Sequence, residues 1–404
     1  MQGRLVRVLH VNFSDRTGGA ARAVVRINNA CIYQGIESRV LVIEKLSKDE
    51  ISFTPISIYK KYFLFILRRF SESIVRLFPR DIGQDQSISI FGSGLVSYIN
   101  SSDFDIVNLH WVNGEMLSIN EISQIKKPIV WTLHDMWPFC GTDHYTESDY
   151  YVNGLKRTSI LNRAIYSYKI RRWKNLNINI VGPSNWIKTA ALRSILFEGN
   201  NAVTIPNPID TRVFRFKDKK CCRKYFGFSD NVNLVLFGAI SGTGQFRKGF
   251  DLLLLALNQL MLSDVSFEVV IFGGNAENNI NLPFKVHDLG VISDDEILSD
   301  LYNACDIFVL PSRQDNLPNT LVESSSCGLP SIAFDIGGCK DIIEHKISGY
   351  LAEPFDIIDF SEGMRYILTN KHLFPNEFIS QKAHKKFSFV NVGSRYVSLY
   401  NSLI

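Results

Sequence analysis

The chain has 404 residues, of which 46% are apolar and 21% are charged. A chain of this length is too long for a single domain with one hydrophobic core. The composition excludes a disordered chain and a disulfide-stapled miniprotein, and no run approaches the ~18 apolar residues that span a bilayer. The net charge of +4 is uneven, since residues 1–200 hold 25 Lys and Arg against 17 Asp and Glu. We therefore expect only the first half to meet an anionic surface or substrate, and we expect no nucleic-acid partner.

The seven cysteines are scattered along the chain and form no CxxC pair. They therefore predict neither a disulfide framework nor a zinc ribbon, and they favour buried thiols in a reducing compartment. The opening "MQGRLVRVLHVNF" alternates basic and apolar residues and lacks the apolar core of a signal peptide. We expect a cytoplasmic protein.

Short Val- and Ile-rich stretches alternate with helical ones along the whole chain. In chain order, the predicted strands are "RLVRVLHVNF", "SRVLVIE", "DIVNLHW", "PIVWTLH", "NINIVGPS", "AVTIPN", "VNLVLFGA", "FEVVIFGG", "DIFVLPS", "LPSIAFD" and "GYLAE". Buried strands separated by helices predict an α/β fold with two doubly wound domains. The junction is predicted in "PNPIDTRVFRFKDKKCCRK", where prolines and a charge run break the pattern.

The segment of residues 58–80, "IYKKYFLFILRRFSESIVRLFPR", departs from this plan. Its aromatic and aliphatic residues recur at i, i+3, i+4 and i+7, with five basic residues before the final arginine. This pattern is typical of a helix that lies on an anionic membrane surface. A core-facing helix with a solvated basic side fits the same spacing.

Ligands of open α/β sheets bind beyond the carboxyl ends of the strands, where polar residues and glycines of this chain collect. In "VNLVLFGAISGTGQFRKGFDLLLLAL" a strand ends at Gly238 and is followed by Gly242, Gly244, Arg247 and Lys248. This segment could bind a diphosphate through its backbone amides, the start of the following helix and two cations. An ordinary turn between a strand and a helix would show the same sequence pattern. The spacing matches neither the Rossmann nor the P-loop glycine motif.

The segment "PSRQDNLPNTLVESSSCGLP" contains a predicted helix and two carboxylates. Asp315 precedes the helix, and Glu323 lies on its second turn. Pro318 suits the start of this helix and Gly328 its end. The carboxylates could bind hydroxyls of a ribose and of a hexose. Alternatively, Asp315 caps the helix and Glu323 is solvated.

The run "DIFVLPSRQDNLPNTLVESSSCGLPSIAFDIGG" resembles the signature of family 4 retaining glycosyltransferases, in the sub-branch common in O-antigen, capsule and exopolysaccharide synthesis. The likeness extends to "GGAARAVVRINNACIYQGIESRVL", "IVNLHWVNGEMLSINEI", "KPIVWTLHDMWPFCGTDHYT", "VGPSNWI" and "IPNPIDTRVF". The resemblance implies a GT-B fold, with two Rossmann-like domains facing across a cleft. We accordingly expect an acceptor domain over residues 1–207, a nucleotide-sugar domain over 208–385 and a tail helix over 386–404 that crosses back onto the first.

The same resemblance implies roles for named positions. It implies that Lys248 clamps the donor diphosphate, that Asp315 and His134 lie by the transferred sugar, and that Glu323 holds the ribose. The remaining positions expected to touch the donor are Asn316, Leu317, Gly238, Gly273 and Gly19, and those expected to touch the acceptor are Gly18, His110 and Trp111.

Three positions depart from the family pattern: Asp replaces Glu at 315, Ala239 stands where an arginine is usual, and the loop after His134-Asp135 lacks cysteines. Arg247 would then supply the second catalytic cation. Among the other polar motifs, Asp103-Phe-Asp105 reads as a turn, and no metal site is predicted.

We expect a retaining, metal-independent hexosyltransferase with no cofactor, peripheral at the inner face of the cytoplasmic membrane. It would move sugar from a UDP- or GDP-sugar donor to a polyprenyl-diphosphate-linked glycan acceptor. The alternative is a non-catalytic sugar-nucleotide or glycan-binding GT-B protein.

Overall fold

The computed structural model describes residues 6–78, 85–147, 150–153, 158–238, 245–274 and 283–404. Its contacts divide the chain into two compact units, which we call unit 1 (residues 1–208 and 392–404) and unit 2 (residues 209–391). Predicted Gly242, Gly244 and Ala239 lie outside the described residues.

Unit 1 is built on a seven-stranded parallel sheet. Its strands are β1 (Arg7–Val11), β2 (Glu37–Leu41), β3 (Ser52–Phe53), β4 (Ile106–Leu109), β5 (Ile129–Thr132), β6 (Ile178–Gly182) and β7 (Ala202–Thr204). The spatial order is β3-β2-β1-β4-β5-β6-β7. Strands β4, β5 and β6 are buried at every residue, as strands covered on both faces must be. The order reverses beside β1, so the carboxyl ends of β1 and β4 mark the switch point at which such sheets bind ligands.

The connections of unit 1 are mostly helical. These helices are α1 (Gly19–Tyr33), α2 (Ile58–Arg76), α3 (Leu95–Ser101), α4 (Ile119–Ile122), α5 (Tyr150–Asn153), α6 (Ile160–Trp173) and α7 (Asn185–Arg193). Serine side chains cap the starts of α2, α6 and α7, which explains why these helices begin where they do.

Unit 2 repeats the plan with a six-stranded parallel sheet. Its strands are β8 (Asn233–Gly238), β9 (Phe267–Phe272), β10 (Val286–Asp288), β11 (Ile307–Leu310), β12 (Ser331–Phe334) and β13 (Gly349–Ala352). The spatial order β10-β9-β8-β11-β12-β13 places its switch point at the carboxyl ends of β8 and β11. The prediction of two Rossmann-like doubly wound sheets is therefore confirmed, while the short strands β3 and β10 were missed.

The helices of unit 2 are α8 (Lys219–Phe226), α9 (Phe250–Leu260), α10 (Asp295–Ala304), α11 (Asn319–Ser326), α12 (Ile357–Thr369) and α13 (Asn376–Phe387). A last helix, α14 (Phe389–Asn401), carries the chain from unit 2 into unit 1. In unit 1 its Tyr396 and Tyr400 are fully buried, and the Tyr400 hydroxyl accepts a hydrogen bond from Asn108 of β4 at 2.8 Å. These contacts attach the carboxyl-terminal tail to the sheet of unit 1.

Helix α2 presents an apolar face to solvent. Tyr59 is 85% exposed and Tyr62 is 69% exposed, whereas Leu64, Ser71 and Val75 on the other side are buried. The alternative in which the aromatic face packs into the core is therefore wrong. In the part of the chain that the structure describes, no helix is long and apolar enough to cross a membrane.

Glu115 ties helix α2 to the loop that follows β4. Its carboxylate accepts hydrogen bonds from the Ser71 hydroxyl at 2.7 Å and from the Phe91 amide at 2.8 Å. The residue is 2% exposed and its backbone is left-handed, with φ of 60°. A buried carboxylate is tolerated here because several donors satisfy it.

Lys169 holds the loop that follows β5. Its side chain is fully buried in α6, and its ammonium donates to the carbonyls of Trp137, Cys140 and Gly141. The ammonium also lies 3.5 Å from the centroid of the Trp137 ring. One side chain therefore satisfies three carbonyls of the loop that begins beyond His134 and Asp135.

We expect Lys169→Met to lower the free energy of unfolding of unit 1 by at least about 3 kcal/mol, since it leaves buried carbonyls without donors. All five tryptophans lie in unit 1, so tryptophan fluorescence during urea unfolding measures this unit. The matched control is Lys174→Met, which removes an exposed lysine just beyond the same helix. Equal urea midpoints for the two variants would contradict the role given to Lys169.

Candidate functional site

The predicted donor residues of unit 2 converge at its switch point. The 3₁₀ turn Phe246–Lys248 lies between β8 and α9, and the loop between β11 and α11 runs from residue 311 to residue 318. Arg313 links the two segments, because its amide donates to the Arg247 carbonyl at 2.8 Å. Its guanidinium donates to the Phe246 carbonyl and to the carboxylate of Asp251 at the start of α9.

Two glycines let three segments approach this point closely. A β-carbon on Gly249 would lie 1.9 Å from the Pro311 carbonyl oxygen, and one on Gly337 would lie 1.8 Å from the Asp315 carbonyl oxygen. Both glycines have positive φ, 70° and 53°, a region that other residues avoid. The backbone around Asp315 is thus clamped between the 246–249 turn and the turn at 337–338.

Within this clamp, Lys248 and Asp315 form an ion pair, with Lys248 Nζ 2.7 Å from Asp315 Oδ2. Arg247 Nη1 lies 3.6 Å from the same oxygen and donates to the Gln314 carbonyl at 2.9 Å. The structure thus brings the predicted cations and the first predicted carboxylate together. The alternative in which Asp315 caps α11 is wrong, because no side chain caps that helix.

The pKa values of the pair follow from burial and charge. Burial alone would raise the pKa of the Asp315 carboxyl, but Lys248 and Arg247 outweigh burial and hold that pKa below its ordinary value. Burial lowers the pKa of the Lys248 ammonium, although Asp315 acts in the opposite direction. The carboxylate is therefore ionised at neutral pH, and one anion faces two cationic side chains.

The second predicted carboxylate, Glu323, lies on α11 and is 1% exposed. Its Oε2 accepts a hydrogen bond from the Tyr302 hydroxyl at 3.0 Å. The alternative in which Glu323 is a solvated helix residue is therefore wrong. Asn316 is also buried, and its amide bonds to the Asp315 carboxylate, while the side chain of Leu317 packs in the core of unit 2.

Gly238 and Gly273 end the neighbouring strands β8 and β9. A β-carbon on Gly238 would lie 2.2 Å from the Phe272 ring, so this glycine has a packing reason independent of any ligand. The Gly273 amide donates to the Gly290 carbonyl at 2.8 Å. Donor contact by these two glycines stays a prediction.

In unit 1, three histidines form a hydrogen-bonded row across the carboxyl ends of β1, β4 and β5. His10 Nδ1 lies 2.9 Å from His110 Nε2, and His110 Nδ1 lies 2.9 Å from His134 Nε2. His10 and His110 are buried, whereas His134 at the end of the row is half-buried. Both ring nitrogens of His110 are engaged by histidines, so the ring lies behind His134 in the row, and acceptor contact by His110 stays a prediction.

Burial lowers the pKa of all three imidazoles. It lowers the pKa of His10 to about 3 and that of His134 to about 4, and it holds the pKa of His110 well below its ordinary value. For His134 the neighbouring Asp135 acts in the opposite direction without reversing the shift. The row is therefore neutral at physiological pH.

Asp135 organises the loop that follows His134. Its Oδ1 accepts from the Trp137 amide at 3.0 Å, and its Oδ2 lies 2.6 Å from His144 Nδ1. The other nitrogen of His144 lies 2.8 Å from the Ser87 hydroxyl oxygen. Asp135 therefore closes the loop on itself and fixes the backbone that carries His134.

The remaining predicted site residues of unit 1 are Trp111 and Gly18, expected to touch the acceptor, and Gly19, expected to touch the donor. Trp111 is partly buried and stacks on His144 at 5.6 Å between ring centroids. Gly18 precedes helix α1 and Gly19 is its first residue. Trp131 and Trp137 are fully buried and pack in the core of unit 1. Within the described residues, no group of three or more His, Cys, Asp or Glu is arranged to hold a metal ion.

Sequence reasoning missed several residues that build these sites. It assigned no role to His10, Arg313 or Lys169, and among the described residues the His10 Nε2 has no hydrogen-bond partner. Their partners are distant in sequence, so no spacing rule identifies them. A basic or imidazole side chain inside an otherwise apolar segment was the one available signal.

Comparison with known proteins finds a family match within unit 2. Residues 226–385 match the family model described as glycosyl transferases group 1. The chain is 25% identical over 187 residues to D-inositol 3-phosphate glycosyltransferase of Geodermatophilus obscurus, covering 42% of this chain and 41% of that protein. It is 31% identical over 152 residues to N,N'-diacetylbacillosaminyl-diphospho-undecaprenol alpha-1,3-N-acetylgalactosaminyltransferase of Campylobacter jejuni, covering 36% and 39%. The matched part spans less than half the length of either relative.

The fold of the whole chain is similar to that of Anabaena Alr3699/HepE, solved in complex with UDP and glucose. The two share 17% identity with a TM-score of 0.68, over 98% of this chain and 100% of the other. At this identity the likeness establishes the fold, which is of the GT-B type.

We expect the free energy of unfolding of unit 1 to fall as pH falls from about 6.5 to about 4. The unfolded histidines bind protons in this range while the folded row does not, and each contributes up to ~1.4 kcal/mol per pH unit. The measurement is the urea midpoint by tryptophan fluorescence at several pH values. His10→Phe should make this slope shallower, whatever it does to the midpoint at pH 7.

The control is His372→Gln, which replaces an exposed histidine of unit 2. It should leave the slope of the urea midpoint against pH unchanged. A His10→Phe slope as steep as that of the wild type would contradict the neutral row.

Proposed function

We propose that the protein is a retaining glycosyltransferase that moves a hexose from a UDP- or GDP-sugar to a glycan acceptor. The observation that carries this proposal is the Lys248–Asp315 pair, joined by Arg247, at the switch point of unit 2. Switch points are where doubly wound sheets bind nucleotides. The group 1 glycosyl transferase match over the same unit supports this interpretation.

In this proposal unit 2 holds the nucleotide sugar. Lys248 and Arg247 bind the diphosphate, Glu323 accepts hydrogen bonds from the ribose, and Asp315 holds the cations in place until the donor arrives. One carboxylate neutralises only one of the two cations, so a net positive charge remains to attract a phosphate. A single lysine paired with a single aspartate would leave no such excess. Asp315 stabilises the partly buried charge of Lys248 before any ligand binds, so the site is preorganised for an anion.

The largest contribution to catalysis is expected from stabilising the departing diphosphate. The bond from the anomeric carbon to the phosphate oxygen breaks, and the acceptor hydroxyl oxygen bonds to that carbon from the same face. The leaving phosphate takes the hydroxyl proton, so configuration is retained without a protein nucleophile and without a metal. His134 supplies a hydrogen bond to the transferred sugar.

The second candidate is a non-catalytic GT-B protein that binds a sugar nucleotide or a glycan. The presence of Lys248, His134 and both carboxylates favours an enzyme, since a site that has lost catalysis usually loses at least one such group. The two candidates differ in turnover, because only the enzyme releases free UDP or GDP from a sugar nucleotide.

We further propose that the acceptor is a polyprenyl-diphosphate-linked glycan and that helix α2 binds the anionic inner leaflet that carries it. The undecaprenol-linked substrate in the name of the Campylobacter relative supports this class of acceptor. Helix α2 has five basic residues and one acidic residue beside its exposed aromatic face. Within the described part of the chain, Lys60, Lys61 and Arg76 form no ion pair, so their charge is available to lipid headgroups.

We expect Lys248→Met to weaken nucleotide-sugar binding roughly 10- to 150-fold, because it removes a charge-assisted hydrogen bond worth ~1.5–3 kcal/mol. The measurement is calorimetric titration with UDP, GDP and their common sugars. Release of UDP or GDP from the sugar that binds best should fall at least as much.

Lys385→Met, which removes an exposed lysine of unit 2, is the control and should bind like the wild type. Tight nucleotide binding without release of UDP or GDP, with and without glycan acceptors, would favour the non-catalytic candidate. Unchanged affinity in a folded Lys248→Met variant would refute the diphosphate site.

We expect the protein to co-sediment with vesicles containing phosphatidylglycerol and not with neutral phosphatidylcholine vesicles. Each basic residue near an anionic leaflet contributes ~1 kcal/mol, so Lys60→Glu with Lys61→Glu should reduce binding at least ~10-fold. Tyr62→Ser with Phe63→Ser should reduce it as well, because these rings enter the interface.

The matched control is Ile32→Ser with Tyr33→Ser, two exposed apolar residues of α1 in the same unit. This pair should leave vesicle binding intact. If it weakens binding as much as the α2 variants do, the membrane surface is not α2.

A further inference from the structure

The histidine row of unit 1 has an open end and a closed end. His134 at the open end is half-buried just beyond β5, and the structure records no protein partner for its Nδ1 among the described residues. His10 at the closed end is fully buried, and its Nε2 has no hydrogen-bond partner in the part of the chain that the structure describes. The Tyr400 ring lies edge-on to His10 at 6.5 Å, so helix α14 covers this end.

A count of protons links the two ends. Each neutral imidazole carries one N–H and one bare nitrogen. Three rings joined by two N···N hydrogen bonds therefore use two N–H groups and leave one over. The spare N–H is either on His10 Nε2 or on His134 Nδ1. These two arrangements differ in the tautomer of all three rings, because both hydrogen bonds reverse direction between them.

The surroundings favour the open end. On His10 Nε2 the spare N–H would lie inside the core with no acceptor, and a buried donor without a partner is rare in folded proteins. On His134 Nδ1 the same N–H can bond to water or to a ligand. In that arrangement all three rings carry their proton on Nδ1.

We propose that the row fixes His134 as a neutral hydrogen-bond donor through Nδ1, with His10 and His110 as positioning residues. The ligand chemistry that it fits is an oxygen acceptor, such as a hydroxyl or ring oxygen of a sugar or a phosphate oxygen. This inference rests on the proposed function only for the identity of that ligand. It assigns His134 no part as a general base, because the closed end gives an accepted proton no outlet to solvent.

A neutral donor suits the proposed chemistry. It stabilises oxygen that gains negative charge, and it places no fixed cation beside a sugar carbon that becomes positive in the transition state. Enzymes use neutral imidazole in this way where a lowered pKa keeps the ring unprotonated. The buried rings behind His134 supply that condition here.

Nuclear magnetic resonance of protein labelled with ¹⁵N-histidine tests the proposal without any substrate. The eight histidines are assigned by replacing each in turn. At neutral pH we expect a proton on Nδ1 and a bare Nε2 in His10, His110 and His134. Exposed His372 should show the averaged tautomers of a solvated ring. A proton on Nε2 of His134, or on both of its nitrogens, would overturn the proposal.

Two variants of His110 separate positioning from packing. His110→Asn can still donate to His134 Nε2 through its amide, so it should keep the Nδ1–H tautomer of His134. His110→Phe has no donor, and His134 should then show mixed tautomers. An unchanged tautomer in a folded His110→Phe protein would overturn the positioning role.

If His110→Phe does not fold, wild type and His110→Asn still decide the proposal through the tautomer of His134. An inactive wild-type protein with the Nδ1–H tautomer would contradict the proposed function and support the row. The two failures are thus distinguishable.

Discussion

The Asp315 carboxylate is the constraint on which the site of unit 2 depends. It pairs with a lysine and an arginine whose side chains are only 20% and 26% exposed, and a cation withdrawn from water is stable only where an anion or several acceptors meet it. The backbone around it is held at the same time, by the amide of Gly338 and by the arginine-bonded loop of residues 311–315. The charges and the path of the chain are therefore fixed together.

Unit 1 relies on neutral imidazoles together with charged groups that are each met by hydrogen-bond partners. Its histidine row, the Asp135–His144 contact and the Lys169 ammonium each bind segments that leave the carboxyl edge of the sheet. These contacts carry little net charge at the edge itself. Unit 2 thus pairs opposite charges at its switch point, whereas unit 1 joins neutral imidazoles beside its own.

Much of the fold was predictable because buried parallel strands are apolar throughout and end where glycines and polar residues begin. The same logic located Lys248 and Asp315. Three features could not be predicted from the sequence: the two-residue strand β3, the exposure of α2 and the partners of His10. Periodicity shows that a helix has an apolar face but not what covers it, and His10 meets His110 across 100 residues of chain. Pairings at that range depend on the tertiary fold and leave no local pattern.

Glu115 shows how a fold resolves opposing demands at one position. Its left-handed backbone, which costs ~1–2 kcal/mol for a residue with a side chain, would suit glycine better. Glycine, however, would leave the Ser71 hydroxyl and the Phe91 amide without their acceptor. The strain thus persists because the Glu115 carboxylate bonds helix α2 to the segment that follows β4. Removal of this side chain would relax the backbone and at the same time unpair two polar groups, so two opposing preferences balance at this position.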